Sequence, residues 1–323
     1  MEEKHINIFQ LKDKHMNNLQ TLLSRSITAA LFTAVIAGTW DVWWHGALGR
    51  ESFFSPPHLL LYLSVLVAIS FGIYGWYITR EKLWKRLALF LALVPLSAPF
   101  DELWHRAFGI EVASSPLIVW SPPHLMIILS IVGSLLMLLP ILKKEEDKAT
   151  RHLFGALCFA SIFNLLLFLT APLDPIGPYR LLGFWGVGFP AAIFTGTLLA
   201  VKRWMPGNGT GILFIAFACV LMSIGSGEQT ASSVVVASHA HAPSWLQMFA
   251  LIIPALAIEF FLKVPQWIRG ALIGFLYSTI LYVFAREFIE PAFQYSSTSI
   301  YIAIITSIVG GITASFLVQR TSN

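Results

Sequence analysis

Residues 122–142 read PPHLMIILSIVGSLLMLLPIL and are followed at once by Lys143 and Lys144. Apart from His124 nothing in that run ionises. As a helix it would extend about 30 Å, the thickness of a bilayer's hydrocarbon core. Runs of this kind recur along nearly all of the 323 residues. Composition agrees: 56% of residues are hydrophobic and 12% charged, and the mean hydropathy is +0.72. A soluble domain carries about 25% charge, so a single water-soluble core is excluded. The runs are also far too long for barrel strands, and only helices satisfy their own backbone groups in lipid without closing a barrel. The fold class is all-α, a polytopic transmembrane helix bundle.

Ten spans are expected, near 26–47, 56–79, 86–108, 122–142, 152–171, 181–204, 210–227, 244–262, 267–285 and 299–318. Ten spans place both termini and the even-numbered turns on one side. That side holds 17 of the 21 lysines and arginines; Arg50, Arg106, Arg180 and Arg286 fall on the other. By the positive-inside rule both termini are cytoplasmic in a cell membrane. The net charge of +4 is then an inner-leaflet feature, and nucleic acid is not an expected partner. Residues 1–25 form a cytoplasmic segment in which Ile6, Phe9, Leu19, Leu22 and Leu23 sit among polar residues, the pattern of a helix lying on a membrane surface. It mixes acids with bases and leads into a full span, unlike a cleaved signal. Cys158 and Cys219 sit alone in separate spans and suggest no disulfide. Glycines in spans six and ten, among them Gly186, Gly188, Gly310 and Gly311, suit close helix contacts.

The polar chemistry lies in an internal repeat within residues 26–142; six further spans occupy 143–323. The first copy runs Asp41-Val-Trp-Trp44-His45 to Gly49 and Glu51, then Ser55-Pro56-Pro57-His58. The second runs Asp101-Glu-Leu-Trp104-His105 to Gly109 and Glu111, then Ser121-Pro122-Pro123-His124. Each copy is a helical hairpin, 1–2 and 3–4, in the same orientation. This parallel duplication sets both clusters toward the extracytoplasmic side. Asp41 follows Arg25, at the inner edge, by 16 residues, and Asp101 follows Arg86 by 15, which is about 22–24 Å of helix rise. Both aspartates therefore fall within the outer leaflet, where an Asp costs roughly 2.5–3.5 kcal/mol and needs a partner.

Spacing supplies that partner. Asp41 and His45 share a helix face, as do Asp101 and His105. Proline suits the first turn of the returning helix, which brings His58 and His124 back to the same depth. Each hairpin thus offers one carboxylate and two imidazoles, a set able to hold a metal with coordination positions left open. A buried hydrogen bond without metal is the competing reading of each pair. Trp44 and Trp104 read either as interfacial belt residues or, with Glu51 and Glu111, as groups that support the ligands. Glu228 with His239-Ala-His241 forms a third outer cluster, an accessory or entrance site or else a solvated loop. Nine acids against four arginines on the outer side favour the approach of cations.

Asp41-x3-His45-x12-His58 resembles the copper-ligand motif of the membrane C subunit of particulate methane and ammonia monooxygenases, likewise Asp-x3-His-x12-His within the membrane. The likeness covers about 18 residues, and the second copy repeats it with a loop that reads x18. It implies copper on Asp41, His45 and His58, and on Asp101, His105 and His124 as a duplicated version. It also implies oxygenase partner subunits, although no segment here matches the family's soluble copper-binding domain. The leading function is a copper-dependent membrane monooxygenase, or a subunit of one, acting on a small apolar substrate. A metal transporter or supply protein, a b-haem quinol oxidoreductase and a structural membrane partner remain open beside it. Asp-His-His also suits iron or zinc, and a homo-oligomer is a further possible assembly. The topology is tested by labelling single cysteines with a membrane-impermeant thiol reagent, after Cys158 and Cys219 are replaced by alanine. Sites at Ser52 and Ala113 react in intact cells and a site at Lys144 only after lysis; the reverse pattern overturns the orientation.

Overall fold

The computed structural model describes residues 8–48, 54–109, 116–173, 181–206, 209–225, 244–260, 264–288 and 295–320. Within these, the side chains of residues 8–14, 45–47, 118, 244–245, 247, 258–260, 285 and 288 are not described. All regular structure among the described residues is helical. The helices are α1 Ile8–Leu48, α2 Pro56–Thr79, α3 Lys82–Phe108, α4 Leu117–Trp120, α5 Pro122–Leu142 and α6 Lys148–Thr170. After a 3-10 turn at Gly183–Val187 come α7 Gly188–Trp204, α8 Thr210–Gly225, α9 Ser244–Phe260 and α10 Gln266–Ser278. A π-helical turn at Thr279–Phe284 joins α10 to α11 Ala285–Phe288, and α12 is Ser297–Arg320.

Eight of these helical segments are long and apolar enough to cross a membrane, so the protein is a multi-pass membrane protein. The expected seventh and eighth spans are represented by α8 and α9, of 16 and 17 residues. Their apolar portions fall below span length, and they flank residues 226–243, outside the description. The first helix differs from expectation. Residues 8–48 form one helix of 41 residues, because no glycine or proline interrupts the chain between Ile8 and Ala37. The N-terminal polar segment, from Ile8 on, extends the first span rather than forming a separate surface helix.

Helices α1, α2, α3 and α5 close a ring in which each packs on the next. Its helices contribute Ile27, Leu31, Leu87, Leu91, Ile131, Leu135 and Leu138 to the apolar core, all fully buried. One end of the ring is tied by Arg25, which donates from Nε to Glu145 Oε2 at 2.7 Å, and by Gln20, which donates to Glu81 Oε1 at 3.0 Å. The expected metal residues lie toward the opposite end. Helix α6 stands against α1, α5, α7 and α8, linking the ring to a second group in which α7, α10 and α12 pack together.

The second group rests on glycine. A Cβ on Gly311 would lie 2.0 Å from the Gly270 carbonyl oxygen, and one on Gly274 would lie 2.0 Å from that of Ser307. A Cβ on Gly310 would meet the Gly188 carbonyl at 2.2 Å, so α7 is held to α12 in the same way. Lipid tails are as apolar as leucine, so backbone-to-backbone approach of this kind drives association inside a bilayer. Spans six and ten do meet through the glycines named from the sequence. The share of Gly270 and Gly274 on α10 emerges only from the packing.

Gly311→Ala tests this. Alanine's helix propensity favours the variant by about 1 kcal/mol, but the overlap is with backbone, which no rotamer relieves, and overpacking costs about 1–3 kcal/mol. The net result expected is a lower Tm in detergent. Gly196→Ala, whose Cβ would meet Ala314 at an ordinary 3.6 Å, serves as control. Equal behaviour of the two variants would contradict the packing described.

Candidate metal centre

Helix α3 carries Asp101 and His105 four residues apart, and His105 Nε2 lies 3.2 Å from Asp101 Oδ1. Helix α5 begins at Pro122 with Ser121 as its N-cap, which places His124 on its first turn. His124 Nε2 lies 3.4 Å from the same oxygen, Asp101 Oδ1. Donor atoms of the three residues fall within 4.8 Å of one another, the one such trio among the described residues. The side chains of Asp101 and His105 are about one-tenth exposed, at 10% and 9%, and that of His124 somewhat more. Pro95 and Pro99 lie inside α3, just before Asp101. Each removes one backbone N–H from the helix ladder, and the first copy has Val35 and Thr39 at those places.

The tautomer of His105 gives the trio its chemical meaning. Its Nδ1 lies 3.3 Å from the Gly109 carbonyl oxygen. A carbonyl can only accept, so Nδ1 carries the hydrogen, and the neutral ring then presents a lone pair at Nε2. That lone pair and a carboxylate oxygen are both acceptors, and at 3.2 Å they repel. A cation between them, a proton or a metal ion, makes the contact attractive. Ligands about 2.1 Å from one ion at tetrahedral or octahedral angles lie about 3.0–3.4 Å apart, which both contacts to Asp101 match. One carboxylate and two imidazoles suit copper, iron(II) or zinc and leave open positions.

Gly109 makes this possible. It caps α3 with φ +82° and ψ 171°, a conformation open essentially to glycine. Its N–H donates to the His105 carbonyl at 2.9 Å while its own carbonyl takes the His105 ring hydrogen. A carbonyl partner on the distal nitrogen fixes a ligating imidazole in place. The sequence carried a sign of this role, because a glycine follows the histidine by four residues in both copies, at Gly49 and Gly109.

In the first hairpin His58 Nε2 lies 3.2 Å from Asp41 Oδ2, across the α1–α2 interface, and both side chains are largely buried. The side chain of His45 lies outside the description, so the described partner of Asp41 is the imidazole of the returning helix. Glu51, Glu111, Glu228, His239 and His241 are also outside the described residues. Trp44 packs edge-on to Trp40, ring centroids 5.9 Å apart, and Trp104 lies against Phe108 at 4.4 Å. The indole nitrogens of Trp44 and Trp104 are shut off from solvent and have no acceptor among the described residues, whereas a belt tryptophan turns its N–H to the headgroups. Glu102 is occupied by Arg106 at 2.9 Å on the exposed face of α3, a pair worth a few tenths of a kcal/mol, about 0.3–0.5.

The chain matches no protein-family model, no curated protein and no solved structure.

Two substitutions separate ligand from support at the second hairpin. Asp101→Asn keeps the shape and removes the charge, and is expected to abolish measurable metal binding there. Gly109→Ala keeps all three ligands but strains the cap and shifts its carbonyl, for an expected loss of about 10- to 100-fold in affinity. Isothermal titration with metal reads both. Wild-type affinity in Gly109→Ala would show that the carbonyl does not orient His105.

Proposed function

We propose that this integral membrane protein binds copper at two centres, Asp101–His105–His124 and Asp41–His45–His58, and acts as or within a membrane monooxygenase-like oxidoreductase. The observation that carries the metal reading is the convergence of two imidazole nitrogens on one oxygen of a buried carboxylate. A tautomer-fixing bond holds one of those rings. Copper as the ion, and oxygen chemistry as its use, rest on the resemblance of the Asp-x3-His-x12-His spacing to the monooxygenase C subunit. In this reading α8 and α9 complete a ten-span topology with both termini cytoplasmic, and the centres lie toward the extracytoplasmic leaflet.

Copper there would supply the redox chemistry with oxygen. The chain itself does four things. Asp101 and Asp41 hold cation charge at a depth where it is costly. Gly109, through the His105 ring hydrogen, keeps one ligand turned inward. The trio stays largely buried, which limits access of bulk water. Phe100, Leu103 and Phe108, beside Asp101 and His105 on α3, are exposed to the surroundings; in a bilayer they meet lipid, the route by which a small apolar substrate would arrive.

Elemental analysis of purified wild type beside His45→Ala and His105→Ala tests the reading. Stoichiometric copper in the wild type, reduced in each variant, is expected. Oxygen uptake with ammonia or short alkanes after anaerobic copper loading, with any co-purifying subunits present, is expected as well. No bound copper, iron or zinc in the wild type after reconstitution would overturn it. Copper bound without oxygen uptake would leave the metal site standing and remove the oxygenase role.

A further inference from the structure

Each hairpin carries a second pair of polar groups that the acid–imidazole contact does not use. Among the described residues, the buried side-chain atoms without a hydrogen-bond partner include Trp104 Nε1 and Ser121 Oγ in the second hairpin. Trp44 Nε1 and Ser55 Oγ are their counterparts in the first. Ser121 is 0% exposed and Ser55 6%. These are the same two repeat positions in both copies.

Local structure explains why the serines are left over. Each is the N-cap of its helix, yet neither hydroxyl makes a capping bond, and proline occupies both of the first two helical positions. The N2 amide, one of the two that a cap can bind, is therefore missing, and neither hydroxyl turns to the N3 amide of His58 or His124. A buried hydroxyl without a partner costs about 1–3 kcal/mol and a buried indole N–H a similar amount. Two hairpins bearing the same two costs point to a shared occupant rather than to loose packing.

Helix geometry sets the two residues of each hairpin on the same side of the acid–imidazole contact. Asp101 meets His124 across the antiparallel α3–α5 interface. Trp104 is three residues beyond Asp101 on α3, and Ser121 is three residues before His124 on α5. Because the helices run in opposite directions, both steps lead the same way along the bundle, about 4.5 Å toward the site's own end. Positions three apart also share a helix face. The same steps lead from the Asp41–His58 contact to Trp44 and Ser55. In each hairpin the tryptophan and serine positions therefore fall at a similar level along the bundle, about one helical turn beyond the acid–imidazole contact.

An indole N–H only donates, so the occupant must present a lone pair. Asp101 or Asp41 lies one turn below, and that carboxylate disfavours a free anion at such depth. A ligand of the ion meets both conditions, since the ion offsets the charge and leaves a lone pair outward. We propose that each hairpin has a binding position for a small oxygen-donor ligand of its ion, water or hydroxide at rest. There the Trp104 N–H and Ser121 hydroxyl, or those of Trp44 and Ser55, hydrogen-bond the coordinated atom. This rests on the metal reading above and adds to it which open coordination position is used and what holds its occupant.

Azide, a small anion that binds Cu(II) with a charge-transfer band, is the probe. It is titrated into copper-loaded wild type, Trp104→Phe and Ser121→Ala, with copper content measured on each sample. Phenylalanine keeps an aromatic ring beside Phe108 while removing the N–H together with part of the indole. Copper content equal to wild type with azide affinity at that centre lowered about tenfold per donor lost is the expected result. Trp44→Phe and Ser55→Ala repeat the experiment at the other centre, should a second-hairpin variant fail to fold. Unchanged azide affinity with full copper content overturns the ligand position and leaves the metal centre intact. Loss of copper in a folded variant overturns it too, by making these residues supports of the trio. A wild type that binds no copper ends both readings.

Discussion

A carboxylate buried among apolar helices must be neutralised, and Asp101 and Asp41 set that demand in the first half of the molecule. Asp101 and Asp41 sit far along spans whose other residues are almost all apolar, and each has an imidazole from the returning helix within 3.4 Å. Such a contact can be made only if the hairpin turns so that the first turn of the second helix meets the last turns of the first. The Ser-Pro-Pro-His starts do this: proline accepts the missing amide of a helix beginning and sets the histidine on the opening turn. The electrostatic demand of the aspartate and the geometry of the helix start are met by one arrangement.

The rest of the bundle is consistent with keeping that end stable. The four-helix ring is filled with leucine and isoleucine and tied at its far end by Arg25 and Glu145, so ionic contacts lie at the two ends and apolar packing lies between. The second helical group uses a different device, glycine against backbone carbonyl, where close approach replaces a hydrophobic drive that lipid does not provide. The site is thus carried by long helices and not by loops, which favours a fixed ligand geometry.

Some of this was legible from residue order. The repeat named Asp41, His58, Asp101, His105 and His124, and the described contacts join these residues in two clusters. It also contained Gly109 at a repeated spacing, but the cap conformation that turns its carbonyl to His105 is a property of folded backbone. The sequence placed Asp41 with His45 by helical spacing, while the contact described is with His58. Spacing also brought His58 back to the depth of Asp41, and the side chain of His45 lies outside the description.

Sequence alone determined the all-helical, multi-pass character of the chain and the acid and imidazole that share a helix face, because hydropathy and the 3.6-residue period are properties of the covalent chain. The continuity of α1 was also implicit there, in the lack of any helix breaker. Tertiary structure decided what depends on register between helices. It brought two imidazole nitrogens to one oxygen of Asp101, turned the Gly109 carbonyl onto His105, and paired α10 with α12 through Gly270 and Gly311. Those outcomes depend on distances across interfaces, which are set by how side chains pack and not by their order along the chain.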